Sequence, residues 1–149
     1  MTNPLALDLQ LCFPLYAASR AMTAVYRTEL DALGLTYPQY LVMLALWEHD
    51  GLTVGELCGT LSLDSGTLSP LLKRLEAAGL VQRRRSAEDE RRVAITLTET
   101  GRRMREDACE VPLRIAASTG MSREDMETLR DSLQRLTRAL TAHIHSKEN

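Results

Sequence analysis

Five arginines crowd a short polar turn in this chain: Arg83, Arg84 and Arg85 precede it, and Arg91 and Arg92 close it. Planar, permanently charged guanidinium groups on a narrow ribbon suit phosphates and the negative potential of a DNA minor groove. In Asp89-Glu90-Arg91 a carboxylate lies two residues from an arginine, close enough to hold that side chain in one rotamer through a bidentate pair. The bland reading is a solvated hairpin with an ordinary salt bridge. A second reactive group, Cys12, stands just ahead of the first expected long helix, about Pro14 to Leu33, where the positive end of the helix dipole favours a thiolate. Tyr16 is one turn along from it. Tyr26, further down the same helix, and Tyr37, opening the next, can reach the sulfur from another helix or subunit. Phenols donating hydrogen bonds to sulfur stabilise its anion without adding a mobile charge. The alternative for Cys12 is an inert core cysteine among leucines.

The arginine turn needs a scaffold, and the preceding residues supply one. Thr53-Val54-Gly55-Glu56 fits a capping box opening a short helix with Val54, Leu57, Cys58 and Leu61 on its apolar face. Asp64 then caps a second helix running to about Ala78 and stopped by Gly79, with the stripe Leu68, Leu71, Leu72 and Leu75. Its other face offers Ser65, Thr67 and Ser69 for base edges and phosphates, then Lys73 and Arg74 for the backbone. Pro70 removes one helical hydrogen bond and predicts a distortion near Leu68 to Pro70. Leu80 to Arg84 and Arg92 to Leu97 alternate as the strands of a hairpin, with Arg85 to Glu90 as its turn. Helix, recognition helix and arginine hairpin together read as a winged helix-turn-helix over residues 36–98, with double-stranded DNA as the partner.

The rest of the chain reads as helix, giving a mainly α fold with a small β-wing. A helix from Pro38 to about Glu48 starts at Thr36-Tyr37-Pro38-Gln39. Another runs from about Thr98 toward Ala117, and Ser122 caps a last one reaching His143 with the stripe Met126, Leu129, Leu133, Leu136 and Leu140. Residues 5–35 and 99–145 are the expected dimerisation lobe of a homodimer, which would set two recognition helices about 34 Å apart on an inverted-repeat operator. The alternative is that these helices close a monomeric core. One winged helix makes few base contacts for tight specific binding, which favours the dimer.

Composition bounds the reading. The 149 residues carry a formal net charge of −2, so the chain is no general DNA-coating protein. From Lys73 to Arg92, however, seven basic residues stand against four acidic ones, an excess of three that concentrates positive potential on the expected interface. Cys12, Cys58 and Cys109 are odd in number and widely spaced, fitting neither a disulfide framework nor paired zinc ligands. Cys58 reads as core packing. His143 and His145 fall at a fraying end and do not share ligand spacing with the cysteines. There is no signal-peptide pattern, so a cytoplasmic location is expected. No phosphate loop or Ser/His/Asp arrangement is present, and neither an enzyme nor a cofactor is expected.

The order of elements resembles the multiple-antibiotic-resistance-regulator (MarR) family along nearly the whole chain. Leu11-Cys12-Phe13-Pro14-Leu15-Tyr16-Ala17-Ala18-Ser19-Arg20, Leu35-Thr36-Tyr37-Pro38-Gln39-Tyr40-Leu41-Val42-Met43, Leu63-Asp64-Ser65-Gly66-Thr67-Leu68 and Leu71-Leu72-Lys73-Arg74-Leu75-Glu76 resemble the organic-hydroperoxide-sensing repressors of the OhrR type. That resemblance implies a repressor whose N-terminal cysteine, Cys12, is oxidised by organic hydroperoxides and then releases DNA. It also implies that Tyr26 and Tyr37 contact the reactive sulfur, with Tyr16 nearby. Some members carry a second cysteine before the loop preceding the last helix. The matching stretch Ala116-Ala117-Ser118-Thr119-Gly120 has none, so the chain looks like a one-cysteine sensor completed by a small cellular thiol, with Cys109 as the minority alternative. Two other functions compete: a repressor released by a small aromatic ligand between the lobes, and a thiol peroxidase using Cys12.

Overall fold

The computed structural model describes residues 3–148, which divide into two compact units, one ending at Pro112 and one beginning at Leu113. The first unit holds a short 3-10 turn, then helices α1 (Cys12–Leu30), α2 (Tyr37–Glu48), α3 (Val54–Leu61), α4 (Ser65–Ala77) and α5 (Glu99–Ala108). Among them run strands β1 (Leu52–Thr53), β2 (Val81–Arg85) and β3 (Val93–Leu97). Helix α6 (Val111–Thr119) crosses the division, and α7 (Arg123–Lys147) fills most of the second unit.

Side-chain caps start most of these helices. Thr36 Oγ1 accepts from Gln39 N while Gln39 Oε1 accepts from Thr36 N, a capping box with Pro38 in the first turn. Thr53 and Glu56 repeat the device on α3, the Glu56 carboxylate accepting from Thr53 N at 2.8 Å. Asp64 Oδ1 accepts from Thr67 N at 2.7 Å to open α4, Thr98 caps α5, and Ser122 caps α7. Thr36, Thr53, Asp64 and Ser122 cap where the sequence places helix-start signals, and Thr98, expected only as the approximate start of a helix, proves to be a cap as well.

Several boundaries differ from expectation. Helix α1 begins at Cys12 rather than Pro14, because a proline at the third helical position gives up only an N–H that has no intrahelical acceptor anyway. Helix α4 is, as expected, one element through Pro70, and ends at Ala77 with Ala78 as its cap. The expected helix from Thr98 to Ala117 is two, since Pro112 cannot donate to the Ala108 carbonyl one turn back and is accommodated instead in the first turn of a new helix, where the missing N–H costs nothing; Cys109 becomes the C-terminal cap of α5. The wing strands are Val81–Arg85 and Val93–Leu97, one residue displaced at their first ends.

The sheet has the order β1-β3-β2, all antiparallel, with Leu52 opposite Ile95 and Arg83 also opposite Ile95 across the other edge. The first unit's core is packed from α2 (Tyr40, Val42, Met43, Leu46), α3 (Leu57), α4 (Leu68, Leu71, Leu72, Leu75) and the sheet (Val81, Ile95, Leu97), all buried. The seam between sheet and α5 is held by polar ties. Trp47 Nε1 donates to the Gly101 carbonyl at 2.9 Å, Thr98 N donates to the Leu80 carbonyl at 3.0 Å, and Asp50 divides its carboxylate. One Asp50 oxygen accepts from Leu97 N at 2.8 Å and the other lies 3.6 Å from the Arg102 guanidinium. In the second unit α7 buries none of its residues, and Leu129, Leu140 and Ile144 are exposed on it.

Candidate nucleic-acid interface and thiol site

Asp64 fixes the start of α4 and sends the next residues outward. Ser65, Thr67, Lys73 and Arg74 are exposed and Ser69 is half-buried, while Leu68, Leu71, Leu72 and Leu75 pack beneath them. Gly66 leaves room for the cap, since a Cβ there would press on the Asp64 carboxylate at 3.2 Å. Arg83, Arg84, Arg85, Arg91 and Arg92 are all exposed along β2 and the wing turn. Glu76 on α4 lies 3.6 Å from Arg83 Nε, so helix and wing are joined by an ion pair. Asp89 does not pair with the Arg91 guanidinium. Its Oδ1 accepts from Arg91 N at 3.0 Å, and its carbonyl accepts from Arg92 N at 3.0 Å. Two residues of separation in a tight turn bring a carboxylate to the backbone N–H before it can reach a long side chain. The aspartate therefore shapes the turn, and the Arg91 guanidinium is left for another acceptor.

The thiol groups are spread over the first unit. Cys12 is exposed in the first turn of α1, Cys58 is half-buried on α3, and Cys109 is exposed at the end of α5. Among the described residues no group of three or more His, Cys, Asp or Glu is placed to hold a metal. Tyr16 is exposed, with the Arg20 guanidinium 5.6 Å from its ring centre, a cation that the sequence pattern did not single out. Tyr26 and Tyr37 meet ring to ring at 4.6 Å, and Tyr40 joins them 5.9 Å from Tyr26. Burial, with the neighbouring phenols Tyr37 and Tyr40, pushes Tyr26 up to about 12, and burial raises Tyr37 as well. These phenols stay protonated at neutral pH and can act only as hydroxyl donors or acceptors. Tyr26 lies fourteen residues beyond Cys12 on one helix, a rise of about 21 Å at 1.5 Å per residue. Within one chain, then, Tyr26 and Tyr37 are together and Cys12 is far from them.

A capped helix pair carrying exposed hydroxyls and cations, followed by an arginine wing, defines a winged-helix DNA-binding regulator. A family profile described as Transcriptional regulator SarA/Rot matches residues 24–108. The organic hydroperoxide resistance transcriptional regulator of Bacillus subtilis (strain 168) is 51% identical over 134 residues, covering 90% of this chain and 91% of that protein. The HTH-type transcriptional regulator TtmR of Methylorubrum extorquens (strain PA1) is 47% identical over 146 residues, covering 98% of this chain and 75% of that protein. Among solved structures, reduced AbfR bound to DNA, from a protein also solved from Staphylococcus epidermidis, superposes with a TM-score of 0.76 at 37% identity over 91% of this chain and 94% of that one. AbfR has also been solved in a disulfide-formed state and, bound to DNA, in an overoxidised state. This chain belongs to the MarR family of winged-helix transcriptional regulators, in its organic-hydroperoxide-regulator (OhrR) branch. It is a DNA-binding transcriptional regulator and not an enzyme. No helix among the described residues is long and apolar enough to cross a membrane.

Proposed function

We propose that this chain is a homodimeric repressor that binds an inverted-repeat operator and releases it when organic hydroperoxides oxidise Cys12. The observation that carries the reading is the separation on α1: an exposed thiol at one end and a cluster of protonated phenols, Tyr26 with Tyr37, about 21 Å away along the helix. A two-fold axis running across α1 exchanges the two ends, bringing Cys12 of one protomer to the phenols of its partner. The apolar side chains left exposed on this helix and on α7, among them Leu11, Phe13, Leu129 and Leu140, support residues 5–35 and 99–145 as the self-association lobe, with 36–98 as the DNA-reading lobe. The disulfide-formed state of AbfR supports redox control by analogy, and its overoxidised state, which is bound to DNA, favours a bulky disulfide rather than added oxygen alone as the releasing modification.

In the reaction the Cys12 thiolate attacks the distal peroxide oxygen, the O–O bond breaks, and the alkoxide leaves as an alcohol after taking a proton. The sulfenic acid then condenses with a small cellular thiol, forming a mixed disulfide and water. Tyr26 and Tyr37 would donate to the thiolate, with Tyr16 and its stacked Arg20 at the mouth. A larger sulfur substituent breaks those hydrogen bonds and shifts the helix ends, which turns the two recognition helices out of register. Release needs the DNA-bound shape to be disfavoured by on the order of 3 to 5 kcal/mol. On the DNA, Ser65, Thr67 and Ser69 would meet base edges and phosphates, Lys73 and Arg74 the backbone, and Arg83, Arg84, Arg85, Arg91 and Arg92 the flanking minor groove, with Asp89 setting the turn.

The test is fluorescence anisotropy on an inverted-repeat operator from the upstream region of the chain's own gene, before and after stoichiometric cumene hydroperoxide with a small thiol. Oxidation should release the wild-type chain and leave Cys12→Ser bound. Retention of DNA by both would reject the redox mechanism.

A further inference from the structure

The arginines of β2 leave the sheet on different faces. Val81 stands opposite Leu97 and Arg83 opposite Ile95, and Val81, Leu97 and Ile95 are all buried. Directly opposed residues of an antiparallel pair share a face. Arg83 therefore departs on the side that packs on the helices, whereas Arg84, opposite Ala94, departs on the other. This brings Arg83 to the last turn of α4, where Glu76 Oε2 lies 3.6 Å from its Nε. Glu76 has a cation closer in sequence, since Lys73 stands three residues back, at the spacing of neighbours on a helix face. Lys73 makes no ion pair among the described residues, so the carboxylate turns to the wing and not to its own helix. The contact engages the Nε edge of the guanidinium, and the Arg83 side chain is still 37% exposed, which leaves its terminal Nη groups for a second acceptor. A carboxylate beside a DNA-reading surface repels phosphates, and its presence there calls for a compensating use.

We propose that Glu76 is a positioning residue for DNA binding: it holds the Nε edge of Arg83 so that the Nη edge meets the phosphates bordering the wing's minor groove, an assignment that rests on reading α4 as the recognition helix and the wing as the minor-groove element. With α4 in one groove and the wing in the next, a line of phosphates passes between them. Arg83 stands at that junction, on the wing and against α4 at once. A free arginine gives up rotamer freedom when it grips a phosphate, and one already anchored on a carboxylate has given up part of it beforehand. That preorganisation outweighs the repulsion between Glu76 and the phosphates. Glu76 thus acts on DNA only through Arg83.

The experiment is a double-mutant cycle on the reduced full chain, with Glu76→Gln, Arg83→Ala and the two combined, read by operator anisotropy over a series of salt concentrations and by thermal melting. Glu76→Gln removes a negative charge from the interface, yet it should weaken binding about threefold, within the range of a half-exposed ion pair. It should also lower the salt slope by up to about one, as Arg83→Ala does, and leave the melting midpoint within about 2 °C of wild type. In the Arg83→Ala background the same substitution should tighten binding, because only the repulsion is left to remove. Tighter binding of Glu76→Gln in the wild-type background would overturn the proposal. So would an equal effect in both backgrounds, or weaker binding with an unchanged salt slope and a lowered midpoint, which would make the pair a structural brace. An Arg83→Ala chain that binds like wild type would overturn it too. Arg84→Ala, on the other face of the strand, then separates the two readings: if it still weakens binding, the wing reading stands and only the role of Glu76 falls.

Discussion

Replacing Gly101 by alanine should unlock the joint between α5 and the wing sheet. A Cβ on this residue would sit deep inside the contact distance of the Leu80 carbonyl oxygen, with the Leu80 carbonyl carbon at 3.1 Å and Leu97 Cδ2 at 3.3 Å. The obstacle is backbone and cannot swing aside, because the same Leu80 carbonyl accepts from Thr98 N at 3.0 Å. Separating the two segments costs about 1–3 kcal/mol as overpacking, and about 1 kcal/mol for each of the Thr98 and Trp47 hydrogen bonds that are stretched. Alanine's better helix propensity returns up to about 1 kcal/mol. The net is about 3 kcal/mol, which for a chain of this length lowers the melting midpoint by about 6–12 °C. Urea unfolding followed through Trp47 emission measures it directly. Gly59→Ala is the control: nothing lies within 4 Å of a Cβ there, so that variant should gain about 0.5–1 kcal/mol. A Gly101→Ala chain within about 1 kcal/mol of wild type would refute the reasoning.

Tyr26 is raised from 10.0 to about 12, so its contribution is complete below pH 10 and is lost as the pH climbs toward 12, where the unfolded chain ionises first. Thermal midpoints measured across pH 8 to 12 should be level at first and then fall, and a fall attributable to Tyr26, absent in Tyr26→Phe, that begins below pH 9 would contradict the assignment. Trp47→Phe keeps the edge contact with Tyr40 but loses the bond to the Gly101 carbonyl, and should cost about 1 kcal/mol in urea unfolding of both chains followed by far-ultraviolet circular dichroism, since the variant has no tryptophan emission. If the wing arginines meet DNA, Arg84→Ala should weaken operator and unrelated duplex alike and reduce the salt slope by about one; Ser65→Ala should weaken only the operator. Equal losses from both variants on both duplexes would remove the division between backbone and base contacts.

What the sequence discloses here is mostly local. A threonine or aspartate three residues before its N–H partner is a complete hydrogen-bonding unit, so Thr36, Thr53, Asp64, Thr98 and Ser122 announce their helices within a few residues of chain. The leucines of α4 repeat at helical spacing, and all four are buried. What the sequence conceals depends on distant partners. β1 is two residues long and exists only because Ile95 and Ala94 pair with it, so no alternation could reveal it. Gly101 looks like any glycine near a helix start until the Leu80 carbonyl is brought against it from twenty-one residues away. Asp89 and Arg91 have the right types for an ion pair, but the turn geometry gives the carboxylate a nearer donor.

The split carboxylate of Asp50 has a mechanical meaning. With one oxygen on the Leu97 N–H of β3 and the other facing Arg102 of α5, it bolts a strand and a helix to the end of α2, and the Trp47 and Thr98 bonds fasten the same joint from either side. Strand and helix must then turn as one rigid lever. Five strand residues give that lever an arm of about 17 Å at 3.3 Å each, so a rotation of about 10° at the fulcrum carries the far end of the strand through about 3 Å. That travel is one hydrogen-bond length, enough to lift an arginine off a phosphate oxygen while every bond at the fulcrum stays closed.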